Sequence, residues 1–105
     1  MALFDEREKE FEARFKHDQE LEFKVKARRN RLLGLWAAER MGLSGDAADK
    51  YARDVVNAQF GGREKRVVAK VAADLGAKGK SHSEAQIKFE LDHLEAEAKK
   101  QIMKE

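Results

Sequence analysis

The sequence predicts an all-α protein, and three observations support this fold class. Proline is absent and the composition is dominated by the strong helix formers Ala, Glu, Lys, Arg and Leu. Apolar residues recur at helical spacing, and most glycines fall between the periodic segments. With 105 residues the chain can form one domain. We expect a small four-helix bundle with a mobile or protruding N-terminal helical segment, because short connections favour antiparallel neighbours.

The first helical segment spans about residues 4–41 and carries two apolar stripes. One stripe, typical of a core face, comprises Leu21, Val25, Leu32 and Trp36. The other points in a different direction on a helical wheel and comprises Phe4, Phe11 and Phe15. A straight helix does not lay both stripes on one compact core. We therefore predict that residues 19–41 dock on the bundle, whereas residues 1–18 face a partner. A gently curved helix that extends the core is the open alternative.

Two short helices follow, at about 45–60 and 63–75. Ser44 can cap the first helix, and Asp46 in its first turn interacts favourably with the helix dipole. Gly76 ends the second helix. Their predicted apolar positions are Ala47, Ala48, Tyr51, Val55 and Ala58 in the first, and Val67, Val68, Val71 and Leu75 in the second.

The last helix is predicted at about 84–104. Ser83 and Gln86 have the spacing of a capping box, which marks a helix N-terminus. The apolar positions that follow have intervals of four, three, four and four: Ile87, Leu91, Leu94, Ala98 and Ile102.

One glycine, Gly34, lies inside a strong helical pattern instead of at a boundary. A glycine in the middle of a helix costs stability relative to alanine unless its small size is needed. We expect that another helix crosses close to Gly34.

The charge pattern separates the two halves of the first segment. Residues 5–22 hold eight acidic and four basic side chains, whereas residues 24–31 hold five basic and no acidic ones. A charged amphipathic helix with few buried contacts is marginal alone and can become ordered on a partner. We therefore predict that residues 1–18 place the three phenylalanines in an apolar groove of another molecule.

Several classes of function lack their sequence signals. The chain has no phosphate-binding glycine loop, no nucleophile, base and orienter combination, and no histidine pair at metal-binding spacing. We expect no enzymatic activity, cofactor or metal. Histidine is the side chain whose ordinary titration falls between pH 5 and 8, and His17 is our candidate for a residue that tunes partner binding with pH.

Other partners are also disfavoured. The run Ala27–Arg31 with Trp36 could contact a nucleic acid, but the formal net charge is only +2, and we interpret this run as a solvated face. No apolar stretch is long enough to span a membrane, and Asp5 and Glu6 do not suit a signal peptide. The absence of cysteine fits a reducing compartment, so we expect a cytoplasmic protein without direct membrane insertion.

A dense set of residues resembles the zeta-type inhibitor subunit of alphaproteobacterial F-type ATP synthases. The resemblance is densest through residue 38, and its most specific block is Leu-Leu-Gly-Leu-Trp-Ala-Ala at 32–38. The residues that carry it further upstream are Phe4, Asp5, Arg7, Glu8, Phe11, Glu12, Phe15, His17, Asp18, Phe23 and Lys24, followed by Ala27–Leu32.

This resemblance implies a four-helix inhibitor that binds the catalytic head of the ATP synthase and sits peripheral to the inner membrane. The N-terminal helix would enter a catalytic interface between the alternating large subunits, reach toward the central rotor, and arrest hydrolysis while largely sparing synthesis. The inserting residues would be Phe4, Asp5, Arg7, Glu8, Phe11, Glu12 and Phe15, with His17 and Asp18 near the end of that helix. From spacing and charge alone, a helical adaptor or regulator of another protein complex is the alternative function.

Overall fold

Five α-helices make up the part of the chain that the structure, a computed structural model, describes: residues 2–59 and 63–105, with side chains from residue 6 onward. They are α1 (Ala2–His17), α2 (Gln19–Arg40), α3 (Gly45–Ala58), α4 (Glu64–Ala77) and α5 (Glu84–Met103). This part of the chain contains no strand, and the all-α prediction is confirmed. The predicted end of the second helix at Phe60 lies outside the described residues.

Helix α2 is the central element, because it contacts each of the other four helices. Its buried positions therefore spread over a wide arc of the helix: Leu21, Val25, Arg29, Asn30, Leu33, Gly34, Ala37 and Ala38. Of the predicted core stripe, Leu21 and Val25 are buried, whereas Leu32 and Trp36 are half-buried. A single predicted stripe underestimates the number of buried positions on a helix that other helices cover on several sides.

The main core lies between α2, α3, α4 and α5. We call it the main cluster, and its buried members are Leu33, Ala37, Val55, Val67, Val68, Val71, Leu75, Ile87 and Leu91. All four apolar positions predicted for α4 are buried, as are Ile87, Leu91, Ala98 and Ile102 of α5. The 3.6-residue period therefore identified the inward faces of these two helices correctly.

The predicted close approach at Gly34 is confirmed. A Cβ atom added there would lie 2.6 Å from the Cα of Ala52, so α3 crosses α2 at backbone contact distance. The predicted capping box of α5 is also present. The Ser83 hydroxyl accepts from the Gln86 amide at 3.1 Å, and the Gln86 side chain accepts from the Ser83 amide at 2.8 Å. Ser44 occupies the N-cap position of α3, but its side chain makes no capping hydrogen bond.

The first helical segment is divided at Asp18. This residue has an extended backbone (φ −108°, ψ 102°), and its carboxylate accepts a hydrogen bond from the Leu21 amide at 3.1 Å. It is thus the N-cap of α2. A capped break therefore interrupts the helical segment predicted over 4–41, and α2 begins at Gln19. The predicted four-helix bundle with a mobile N-terminal segment is not confirmed, since α1 lies against α2 and α5.

Candidate partner-binding site

One face of α1 is packed against the rest of the molecule. Phe11 is only 7% exposed and belongs to a second apolar cluster with Leu21 and Val25 of α2 and Ala98 and Ile102 of α5. We call this group the α1 cluster. The half-buried residues packed against it are Phe15, Leu32 and Met103.

The expectation that the phenylalanine stripe points outward was therefore wrong for Phe11, and Phe15 is half-buried. The break at Asp18 provides the physical reason. A helical wheel assumes one unbroken helix. The extended backbone at Asp18 changes the direction in which the side chains of α1 point relative to those of α2. The side chains of Phe4 and Asp5 lie outside the described residues.

Polar contacts fix α1 at both ends of the packed face. The Arg7 guanidinium donates to the backbone carbonyl of Met103 at 3.2 Å. The Glu12 carboxylate accepts from Lys99 Nζ at 2.8 Å, and the same ammonium lies 4.3 Å from the centre of the Phe15 ring. Cation–π contacts of this geometry are attractive and gain strength as they are desolvated.

The remaining candidate residues of α1 divide between its two sides. Glu8 is half-buried and shares the packed face with Phe11, Glu12 and Phe15, since these positions are spaced by three or four residues. Arg7 is exposed. His17 is exposed at the C-terminal end of α1, and its predicted role in pH dependence stays a prediction.

The docking of α1 is incomplete along one edge. A cleft of about 320 Å³ opens beside Phe11, between α1 and the two helices that it contacts. Both apolar and charged residues line it: Arg7, Glu10, Phe11, Arg14, Leu21, Lys24, Ile102, Met103 and Glu105. Fewer van der Waals contacts hold a helix next to such a gap than hold one in a filled core.

A buried polar network lies beside the α1 cluster and was missed in the sequence. Arg29 is 2% exposed and donates to Asn30 (3.1 Å), Glu95 (2.9 Å) and, at longer range, Gln59 and Glu64 (both 3.4 Å). Asn30, also buried, donates to Gln59 at 3.0 Å. The network joins α2 to α4, α5 and the C-cap of α3. The interpretation of Ala27–Arg31 as a wholly solvated face was therefore wrong.

The other arginines of that run are solvated or half-buried. Arg28 donates to Glu105 at 2.6 Å, and this hydrogen bond holds the pKa of the Glu105 carboxyl below its usual range. Arg31 is exposed and lies 3.7 Å from Asp49. Ion pairs at such exposed positions contribute little to stability.

Two titratable groups near the main cluster have shifted pKa values. Burial, reinforced by donation to Asp74 at 2.8 Å, raises the pKa of Tyr51 far above its ordinary value. Hydrogen bonds to Asp92 and Glu64 raise the pKa of Lys88. Both shifts stabilise the protonated forms that these groups already have at neutral pH, so neither group changes its charge near that pH.

Two features are absent from the described residues, a metal-binding group of side chains and a helix that could span a membrane. Within residues 6–59 and 63–105, no group of three or more His, Asp or Glu side chains is arranged to hold a metal ion. No helix among the described residues is long and apolar enough to cross a membrane.

Comparison with protein families identifies the chain. The model of the family described as ATPase inhibitor subunit zeta matches residues 1–101. The chain belongs to this family. No curated protein matches the chain. Among solved structures, a protein determined in solution by NMR is 44% identical, with a TM-score of 0.70, and the match covers 80% of this chain and 96% of that one.

The zeta family match covers α1, Asp18 and the Arg29 network together. The resemblance found in the sequence is thereby confirmed at the level of the family. An inhibitor subunit is regulatory, which agrees with the expectation that the chain is not itself an enzyme.

Proposed function

We propose that this chain inhibits ATP hydrolysis by an F-type ATP synthase and that α1 is the inhibitory helix. In this proposal α1 enters a catalytic interface between the alternating large subunits of the head and reaches toward the central rotor. The other helices, α2 to α5, remain outside as the body of the subunit. Membership of the zeta family supports the inhibitory role.

The observation that carries the proposal for α1 is its separate mode of docking. The described apolar contacts of α1 belong to the α1 cluster, whereas the main cluster is built from α2, α3, α4 and α5. Release of α1 therefore leaves the main cluster intact. The capped break at Asp18 supports the same division, because α2 has its own N-terminal hydrogen bond and does not need α1 to begin.

The chemistry of the packed face also suits insertion. Phe11 and Phe15 lie four residues apart, with Glu8 and Glu12 on the same face. Aromatic anchors at this spacing are typical of a helix that lies in an apolar groove. The flanking carboxylates then select a groove with basic residues at its rim.

The partner and location follow from this proposal. The chain would bind the catalytic head, without nucleic acid and without inserting into the membrane. It would lie in the cytoplasm, peripheral to the inner membrane through the ATP synthase. The proposed pH role of His17 belongs to the same interface. If the variant His17→Ala inhibited with the same dependence on pH as the wild-type chain, this role would be contradicted.

A deletion tests the function. The full chain, added to the purified soluble head of an F-type ATP synthase, is expected to lower ATP hydrolysis. A chain of residues 19–105 is expected to lose this effect, because the inserting helix is missing. Thermal unfolding provides the control, since the shortened chain should keep a cooperative transition from the main cluster. Equal inhibition by both chains would contradict the role of α1, and no inhibition by the full chain would contradict the function.

A further inference from the structure

We propose that Lys99 of α5 is a latch residue that holds α1 in its docked position and thereby limits inhibition. This inference rests on the proposed function of α1 and adds an autoinhibited state to it. In that state the subunit is folded, but the inhibitory face of α1 is covered by α2 and α5 of the same chain.

The position of Lys99 is the first argument. One ammonium group contacts two residues of α1 at once, the Glu12 carboxylate at 2.8 Å and the Phe15 ring at 4.3 Å from its centre. The Lys99 side chain is only 19% exposed, although lysine is usually among the most exposed residue types. A half-desolvated cation with an anionic and an aromatic partner binds both more strongly than it would at the surface.

The second argument is that Lys99 is held in place from the body of the molecule. Glu95 lies one helical turn before it, with one oxygen 4.0 Å from Lys99 Nζ and the other 2.9 Å from Arg29. Arg29 is in turn fixed by Asn30. A continuous series of charged contacts thus connects the buried network to α1, and Glu95 acts as a positioning residue for the latch.

The third argument is that docking and insertion use the same side of α1. The side chains of α1 that contact the rest of the molecule include Phe11, Glu12 and Phe15, and each is also in the set that the family resemblance places in the inserting helix. These side chains cannot contact α5 and a groove of the ATP synthase at the same time. The two contacts therefore compete.

Competition of this kind has a predictable effect on potency. When only a fraction of molecules has α1 released, the apparent dissociation constant equals the intrinsic one divided by that fraction. A change that weakens docking raises the released fraction and strengthens inhibition. This outcome is opposite to what loss of a direct contact with the synthase would produce.

The test compares two neighbouring lysines in the full chain. Lys99→Met removes the ammonium and keeps most of the aliphatic stem, and Lys100→Met makes the same charge change at an exposed position of the same helix. Two quantities are measured: hydrogen exchange of the amides of residues 6–16 in the free subunit, and the concentration that halves ATP hydrolysis by the soluble head of an F-type ATP synthase.

We expect Lys99→Met to speed exchange in α1 and to lower the half-inhibitory concentration by about 3- to 10-fold, the size expected from one cation–π contact and one ion pair. Lys100→Met should leave both quantities near wild type. Two results for Lys99→Met would overturn the latch: unchanged exchange, or faster exchange with unchanged or weaker inhibition. In either case, inhibition by the wild-type chain would still support the proposed function. If the wild-type chain does not inhibit, the proposed function fails and the latch fails with it.

Discussion

Gly34→Ala is expected to destabilise the protein by about 2 to 3 kcal/mol, near the upper end for overpacking a core. The added methyl would lie 2.6 Å from the Cα of Ala52 and 3.3 Å from the Cβ of Val55. The first of these neighbours is backbone, so α2 and α3 must move apart to admit it. The higher helix propensity of alanine, about 0.5 to 1 kcal/mol, offsets only part of this cost.

Gly76→Ala is the matched control for this prediction. Gly76, which we expected to end this helix, lies inside the last turn of α4, which ends at Ala77, and an added Cβ would meet no atom within 4 Å. We expect this variant to be stabilised by about 0.5 to 1 kcal/mol, because only the propensity term acts. Urea unfolding of both variants measures the difference. If both substitutions stabilised the protein, the close crossing at Gly34 would be contradicted.

Arg29→Met is expected to destabilise the protein by about 2 to 4 kcal/mol. Methionine fills most of the space of the aliphatic stem, so the loss comes mainly from the guanidinium. Its removal leaves Asn30 without a donor and Glu95 without its cationic partner at 2.9 Å. Truncating one side of a wholly buried ion pair costs about 3 to 5 kcal/mol. The effect here is somewhat smaller, because Glu95 is partly solvated and can rehydrate.

Arg31→Met provides the comparison for Arg29. This arginine is two positions along the same helix, is exposed, and lies 3.7 Å from Asp49. We expect a change within about 0.5 kcal/mol, as is usual for surface substitutions. The same unfolding experiment measures both variants. Equal, small effects would show that the Arg29 network does not stabilise the fold.

Much of the fold could be predicted because several helices carry apolar residues at helical spacing and are bounded by recognisable capping or turn residues. Three sequence signals agreed with the tertiary contacts. They are the apolar period of α4 and α5, the capping box at Ser83, and the glycine at position 34 where α3 crosses α2. The division at residues 18 and 19 was predicted only from the different directions of the two apolar stripes, because the charged pattern continues as helix on both sides of Asp18. An aspartate before a turn that contains Glu20 and Glu22 was the available signal.

The candidate site was predicted only in part. The sequence marked the phenylalanines of α1 as a distinct stripe, but their direction depended on a backbone break that a helical wheel cannot represent. Arg29 was assigned to solvent because a basic run such as Ala27–Arg31 is more commonly a solvated face. It nevertheless lies four residues after Val25 and four before Leu33, in a row that is buried along the length of α2. Burial of an arginine depends on partners from other helices, which a single helix does not reveal.

The most direct test of the central claim, that α1 must leave its docked position to inhibit, is a reversible cross-link. The chain contains no cysteine, so Glu12→Cys with Lys99→Cys introduces one unique pair at a contact between α1 and α5. A reducible thiol cross-linker then ties α1 down. Arg31→Cys with Asp49→Cys, cross-linked in the same way, restrains α2 and α3 while leaving α1 free. We predict that the first cross-linked protein does not slow ATP hydrolysis by the soluble head until the linker is reduced, whereas the second inhibits throughout. Full inhibition by the first protein while cross-linked would contradict the account.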